Sequence, residues 1–150
     1  YFAPCMASRV LCIEPGARAA EAMGPELHGD FRYLAAGQLG PDGRIYFAPS
    51  GARRVLCVDP EAESVEELGP RLAGGCKYTG AGVLAENGRI YFAPCCAEQV
   101  LCIDCQAQTV RLLGPELRGD RKYTTAGVLA PNGKIYFAPS GTGSVLCIDP

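Results

Sequence analysis

The fold of this chain is decided by residues 87–94, whose sequence is Asn-Gly-Arg-Ile-Tyr-Phe-Ala-Pro. Asn-Gly between two apolar runs is a strong hairpin signal, and we expect a type I′ turn because both central residues of that turn need positive φ. Residues 90–93 are rich in strand-forming residues. Pro94 ends the strand because proline has no backbone N–H for the ladder. The segment therefore predicts a β-hairpin.

The same segment recurs along the chain with a period of 45 residues. Residues 46–90 and 91–135 are identical at 27 of 45 positions without a gap. A second marker, Val-Leu-Cys, follows each copy in the same register. The chain of 150 residues therefore holds about 3.3 repeats of one structural unit. The repeats start at Tyr1, Tyr46, Tyr91 and Tyr136.

Each repeat contains four short segments that favour strands, and none is long enough for an amphipathic helix. In one repeat, strand A covers 79–85, strand B 90–93, strand C 99–103 and strand D 109–113. Strands B and C are apolar on both faces, as expected of a sheet that lies between two other sheets. Strand D carries charged residues, which is typical of an outer edge strand.

Four short antiparallel strands in 45 residues are the size of one β-propeller blade. We therefore predict an all-β fold with blades of four antiparallel strands and residues 1–150 as a single partial β-propeller. A β-solenoid of hairpins is the alternative, because it would show the same periodicity. The strands add up to 14 and four blades need 16, so we expect an incomplete ring. We interpret the chain as an excerpt of a longer propeller; a truncated gene product and one partner of an intermolecular ring remain open.

Two segments resemble the blade pattern of the YVTN and NHL propeller families. They are residues 132–138, Asn-Gly-Lys-Ile-Tyr-Phe-Ala, and residues 145–150, Val-Leu-Cys-Ile-Asp-Pro. Those families share an Asp/Asn-Gly-x-Ile-Tyr-Val-Ala hairpin and a Val-x-Val-Ile-Asp-Pro strand. This chain departs from the pattern at its Phe-Ala-Pro and at the Cys of strand C. The resemblance implies a propeller fold and little about activity, since such propellers host sensors, scaffolds and enzymes.

The composition excludes several classes of function. With 14 Lys+Arg against 16 Asp+Glu, the net charge is -2, so we predict no nucleic-acid partner. No apolar run is long enough to span a bilayer, so we predict no membrane partner. One His and no Trp leave little room for a His-based triad or a multi-His metal site. We therefore predict neither a metal nor a cofactor.

The nine cysteines are expected to be free thiols, which favours a reducing compartment such as the cytoplasm. One group shares a single position in strand C and is expected to be buried, apolar and too widely spaced for disulfides. This group is Cys12, Cys57, Cys102 and Cys147. The rest are expected at surface or turn positions: Cys5, Cys76, Cys95, Cys96 and Cys105. A metal or redox site at Cys102-x-x-Cys105 is the alternative, although a zinc ribbon needs two such pairs on turns.

A cation followed by a tyrosine precedes strand A in every repeat. In a ring, these pairs would form a circle of cations and aromatic rings near one mouth of the central channel, suited to an anionic or planar ligand. The alternative is that the tyrosine packs at the blade corner while the cation stays in solvent. The candidate ligand-binding residues are Arg32 and Tyr33, Lys77 and Tyr78, and Lys122 and Tyr123.

The differences between repeats concentrate in loops, whereas the strands keep their residues. We therefore predict a non-enzymatic binding or scaffold module that recognises a protein or a small ligand. A propeller enzyme of lyase or hydrolase type, with His28 near its site and the rest supplied by blades absent here, is the alternative. A nonfunctional product of repeat expansion is a third. Because the terminal repeats are as apolar as the interior ones, we also expect self-association. The variable segments are the B–C turns (50–54, 95–99, 140–144) and the D–A loops (26–32, 71–77, 116–122).

Overall fold

The computed structural model describes all 150 residues and contains strands, turns and loops but no helix. It has no long apolar helix of the kind that crosses a membrane.

The 13 strands form four antiparallel sheets, which we number in chain order. Sheet 1 contains β1 (Val10–Glu14) and β2 (Ala19–Met23). Sheet 2 contains β3 (Gln38–Leu39), β4 (Ile45–Phe47), β5 (Val55–Asp59) and β6 (Ser64–Leu68). Sheet 3 contains β7 (Val83–Leu84), β8 (Arg89–Phe92), β9 (Val100–Asp104) and β10 (Thr109–Leu113). Sheet 4 contains β11 (Val128–Leu129), β12 (Ile135–Phe137) and β13 (Leu146–Ile148).

The strands of each sheet are hydrogen-bonded in chain order, so each sheet is a meander of hairpins. Sheets 2 and 3 each have the four strands A, B, C and D, as predicted. The short A strands of neighbouring sheets approach one another, β3 with β7 and β7 with β11. Strand A therefore lies on the inner side of the array, and the charged strand D lies at its outer edge.

The apolar core lies between the sheets. Along strand B of sheet 2, Phe47 belongs to the cluster shared with sheet 1, whereas Tyr46 and Ala48 belong to the cluster shared with sheet 3. A third cluster fills the space between sheets 3 and 4. Since successive side chains of a strand point to opposite faces, both faces of an interior sheet are buried. The prediction of strands that are apolar on both faces is confirmed.

The A–B hairpin differs from the predicted type I′ turn. The N–H of Gly88 donates to the carbonyl of Ala85 at 3.0 Å, and Gly88 has a φ of 75°, whereas Asn87 is not among the residues with positive φ. This is the pattern of a three-residue loop, in which a turn is followed by a glycine in the left-handed region. The Asn87 side chain instead accepts a bond from the N–H of Arg89 at 3.0 Å. The prediction of a hairpin is right, but the predicted turn type is wrong.

Two strand predictions need correction. The first B strand is reduced to a single bridge between Phe2 and Leu11, so there are 13 strands rather than 14. Strand A, predicted over 79–85, pairs only at β7, because Pro94 ends the partner strand. The segment before β7 packs against its neighbouring copy instead. A Cβ placed at Gly80 would lie 2.3 Å from the carbonyl oxygen of Thr125, so only glycine fits there.

The sheets form an incomplete ring, because the outward faces of sheets 1 and 4 have no neighbour. Leu11 and Ile13 are exposed on sheet 1, although the equivalent Leu56 and Val58 are fully buried in sheet 2. On sheet 4, Val145 is exposed in the same way. The same apolar positions are therefore buried or exposed according to whether a neighbouring sheet covers them.

Candidate functional site

The B–C turns and D–A loops lie together at one edge of the sheets. The N–H of Ser50 donates to the carbonyl of Arg32 at 2.7 Å, and the N–H of Leu72 donates to the carbonyl of Arg53 at 2.7 Å. Because the strands are antiparallel, the A–B and C–D turns lie at the opposite edge. The loops that were predicted to carry recognition therefore share one face of the molecule.

Three clefts open on this face, of which two occupy equivalent places in successive repeats. The first cleft, of about 700 Å³, lies between the D–A loop that precedes sheet 2 and the B–C turn of that sheet. The second cleft, of about 510 Å³, occupies the equivalent place at sheet 3. The first cleft is lined by Glu26, Leu27, His28, Gly29, Arg32, Tyr33, Gly51, Ala52, Arg53, Arg54, Glu67 and Arg71. The second cleft is lined by Arg71, Leu72, Ala73, Gly74, Lys77, Tyr78, Cys96, Ala97, Glu98, Gln99 and Leu112.

The linings of the two clefts correspond position by position, 45 residues apart. Both clefts have a tyrosine, a buried cation before it and an alanine of the B–C turn at equivalent positions. These are Arg32 and Lys77, Tyr33 and Tyr78, and Ala52 and Ala97. The next two turn residues differ in charge: Arg53 and Arg54 correspond to Glu98 and Gln99. The clefts therefore share a frame and differ in the groups that would contact a ligand.

Each tyrosine of the repeated pair closes the B–C turn of its own sheet. All three are buried, and each hydroxyl donates to a turn carbonyl. The bonds run from Tyr33 to Arg54 at 3.2 Å, from Tyr78 to Gln99 at 3.0 Å and from Tyr123 to Ser144 at 3.0 Å. Burial raises the pKa of all three hydroxyls. The prediction that the tyrosine packs at the blade corner is confirmed.

The cations do not form a solvent-facing circle. Arg32, Lys77 and Lys122 are only 4%, 3% and 2% exposed. The Lys77 ammonium donates to the carbonyl of Ser50 at 2.8 Å and to that of Gly74 at 2.6 Å. Burial lowers the pKa of Lys77 because it disfavours the charged form.

Two of these cations tie neighbouring sheets together. Ser50 belongs to the B–C turn of sheet 2, so Lys77 joins that turn to the D–A loop that follows it. Arg32 bonds the carbonyls of Gly29 and Ala7 in the same manner one repeat earlier. The expectation of cations in solvent is wrong, because buried loop carbonyls need donors. A ligand-binding role for the six residues stays a prediction, although two of the three pairs line the clefts.

Three arginines of the first cleft were missed in the sequence. Arg53, Arg54 and Arg71 lie in the predicted variable segments but were not singled out. Two adjacent arginines in one B–C turn, where the next repeat has Glu-Gln, were the available signal. Their convergence with Arg71 depends on how the D–A loop folds back over the turn, which no local pattern shows.

The cysteines follow the predicted pattern only in part. All nine are free, and Cys57 and Cys102 are buried as predicted. Their copies in the end sheets are more open. Cys147 is exposed because no sheet covers its face, whereas Cys12, on the same face of β1 as the buried Val10, is half-buried. Cys95 and Cys105 lie in turns, as predicted, but are buried rather than on the surface.

The thiols do not converge on a metal site. The Sγ atoms of Cys95 and Cys96 are 4.0 Å apart. No group of three or more His, Cys, Asp or Glu side chains is placed to hold a metal ion.

No protein-family model and no curated protein match the chain. Solved structures do match it. Virginiamycin B lyase from Staphylococcus aureus superposes with a TM-score of 0.72 at 16% identity over 96% of this chain and 46% of its own. Hydrazine synthase from Kuenenia stuttgartiensis gives a TM-score of 0.66 at 16% identity over 95% of this chain and 40% of its own. The extracellular domain of BT4673 from B. thetaiotaomicron gives 0.58 at 15% identity over 85% of this chain and 16% of its own.

These similarities define the class of fold. The lyase and the BT4673 domain are β-propeller proteins, so the prediction of propeller blades in an incomplete ring is confirmed. This chain spans less than half the length of the three matched chains. At such low identity the likeness shows the fold alone. Membership of the YVTN or NHL families stays a prediction.

Proposed function

We propose that residues 1–150 act as one non-enzymatic binding module, which recognises small ligands in the clefts between its B–C turns and D–A loops. The proposal rests on the recurrence of one cleft in two repeats. The buried cation, the tyrosine and one alanine are of the same kind in both clefts, whereas other lining residues differ. Volumes of about 700 and 510 Å³ lie in the range of small-molecule sites. Rigid strands that carry variable loops are the usual basis of recognition in such folds.

The frame of each cleft is rigid because the cation–tyrosine pair bonds two turns at once. The backbone N–H of Lys77 donates to Ser50 of the preceding sheet at 3.3 Å, while its carbonyl accepts from the N–H of Cys95 at 2.8 Å. The side chains of both pair members add further bonds to the same turns. Turns held in this way present their exposed residues at a low entropic cost of binding.

A fragment screen by ¹H–¹⁵N NMR tests the proposal. We expect ligands to perturb amides of the D–A loops (26–32, 71–77) and B–C turns (50–54, 95–99) and to leave the opposite edge unchanged. Ala73→Trp should weaken second-cleft ligands at least about tenfold, because Ala73 is an exposed lining residue and an indole would fill the space. Ala62→Trp, at an exposed C–D turn, should have no effect. Ligands that map to the A–B and C–D turns would contradict the proposal.

An enzyme of lyase type is the second candidate. His28, the one histidine of the chain, lines the first cleft, and one similar structure is that of a virginiamycin B lyase. Catalysis would require a proton-transfer group within hydrogen-bond reach of a bound substrate. If a cleft ligand is turned over by the protein and His28→Ala abolishes that turnover, the enzyme replaces the binding module.

We also propose that the end sheets pair with end sheets of a second copy of the chain. Leu11, Ile13 and Val145 occupy positions that are buried in the interior sheets, so covering them would recover burial free energy. Light scattering after size exclusion should show a mass above 15.8 kDa that rises with concentration. Ile13→Lys should shift the mass towards the monomer, whereas Ala62→Lys at an exposed turn should not. A monomeric mass at high concentration would refute this pairing.

A further inference from the structure

The first cleft carries an excess of positive charge on a chain whose net charge is -2. Its lining includes four arginines and a histidine but only two carboxylates. One of those carboxylates, Glu26, already pairs with Arg9 at 3.5 Å. The arginines Arg32, Arg53, Arg54 and Arg71 form no ion pair within the structure. Four cationic groups in one cleft are therefore without an anionic partner.

A buried donor in the same cleft also lacks an acceptor. Arg32 lines the cleft and is 4% exposed. Its two terminal nitrogens donate to the carbonyls of Gly29 and Ala7, but its Nε–H has no hydrogen-bond partner. Leaving a buried charged donor unpaired costs free energy. The arginines of this cleft that a ligand can reach are therefore Arg53, Arg54 and Arg71, which are exposed or half-buried.

The second cleft shows that this charge is not required by the fold. At the positions of Arg53 and Arg54, the second cleft has Glu98 and Gln99, although the turn is held by the same tyrosine bond. The position of His28 is taken by Ala73. The two arginines are therefore dispensable for the turn, so their role in the first cleft must be sought outside the packing of the turn.

We propose that the first cleft binds a small molecule bearing a phosphate ester or diphosphate group. This proposal rests on the binding function proposed above and names the class of ligand. The guanidinium fork donates two parallel hydrogen bonds to phosphate oxygens, and several arginines can share one phosphoryl group. A concave volume of about 700 Å³ suits a molecule the size of a sugar phosphate or nucleotide. Because the chain as a whole is acidic, a polymeric polyanion is disfavoured.

Isothermal titration calorimetry with inorganic pyrophosphate at constant ionic strength tests the assignment. The double variant Arg53→Glu/Arg54→Gln copies the second cleft and is expected to fold, because sheet 3 holds the same residues in the same turn. We expect it to weaken pyrophosphate binding about 100-fold through the loss of charge-assisted bonds. Arg18→Gln, a charge removed from the exposed C–D turn at the opposite edge, should change the affinity less than about twofold.

Titrations with citrate and with polyglutamate separate a preference for phosphate from a general attraction of negative charge. Citrate offers carboxylates of comparable charge, and we expect it to bind at least about tenfold more weakly than pyrophosphate. The proposal is overturned if native protein does not bind pyrophosphate, if the double variant binds it undiminished, if citrate binds more tightly, or if only polyglutamate binds. In those cases, neutral fragments that still map to the clefts by NMR would leave the binding module standing. Fragments that avoid the clefts would remove the proposed function as well.

Discussion

Replacing Ile103 with alanine is expected to lower the free energy of unfolding by about 2–5 kcal/mol. Ile103 lies in β9, is fully buried and belongs to the cluster between sheets 2 and 3. It pairs across the sheet with Ile90, which is also fully buried. Truncation removes the transfer free energy of the side chain and leaves a cavity, because the two sheets are held apart by their other contacts.

Ile13 provides the matched control, because it is the same residue at the same repeat position in sheet 1. It is 46% exposed, since no sheet covers its face. Ile13→Ala should therefore cost about 1 kcal/mol or less. Urea unfolding followed by circular dichroism, at a protein concentration at which the chain is monomeric, measures both variants. Equal losses would show that the free energy of burial is not concentrated between the interior sheets.

The second large effect is a loss of stability in alkali, between about pH 9 and pH 11. Burial raises the pKa of the Cys57 thiol to about 11 and that of Cys105 to about 12. An unfolded thiol ionises near pH 8.5–9, so the folded chain binds more protons than the unfolded chain above that pH. The contribution of these buried, protonated thiols to stability is complete below about pH 9 and is lost as the pH rises through their folded pKa values. By pH 11 the loss should be on the order of 2–3 kcal/mol for each thiol.

Cysteine variants isolate this contribution. Cys57→Ala should flatten the fall in unfolding free energy between pH 8 and pH 11, as measured by urea titrations across that range. Cys147→Ala, at the exposed copy of the same position, should leave the slope unchanged. Some slope will remain in every variant, because burial also raises the pKa of tyrosines such as Tyr46 and Tyr78. Parallel curves for the native chain and Cys57→Ala would refute the thiol contribution.

Strands C and D were predicted almost to the residue. They were expected over 99–103 and 109–113 and are found as Val100–Asp104 and Thr109–Leu113. Their limits depend on local chemistry, namely apolar runs that end at turn-forming residues. The repeat also fixed the number of sheets, since each copy of the pattern folds into the same unit.

The errors concern features that depend on another part of the chain. Strand A is short because its segment packs against the next copy at Thr125 rather than along strand B. Lys77 was expected in solvent, but it is buried because it bonds a carbonyl of the preceding sheet. The loops of the candidate site were identified as variable segments, yet the arginines that converge in the first cleft were not singled out.

Local sequence was enough to determine where strands B, C and D of the interior sheets lie, which faces of those strands are apolar and where each turn falls. Only the tertiary structure decided which copies of a repeated position are buried. Cys102 and Cys147 occupy the same place in strand C, yet one is buried and the other exposed. The physical reason is that burial of a strand face requires a second sheet against it, and that sheet comes from a distant part of the array.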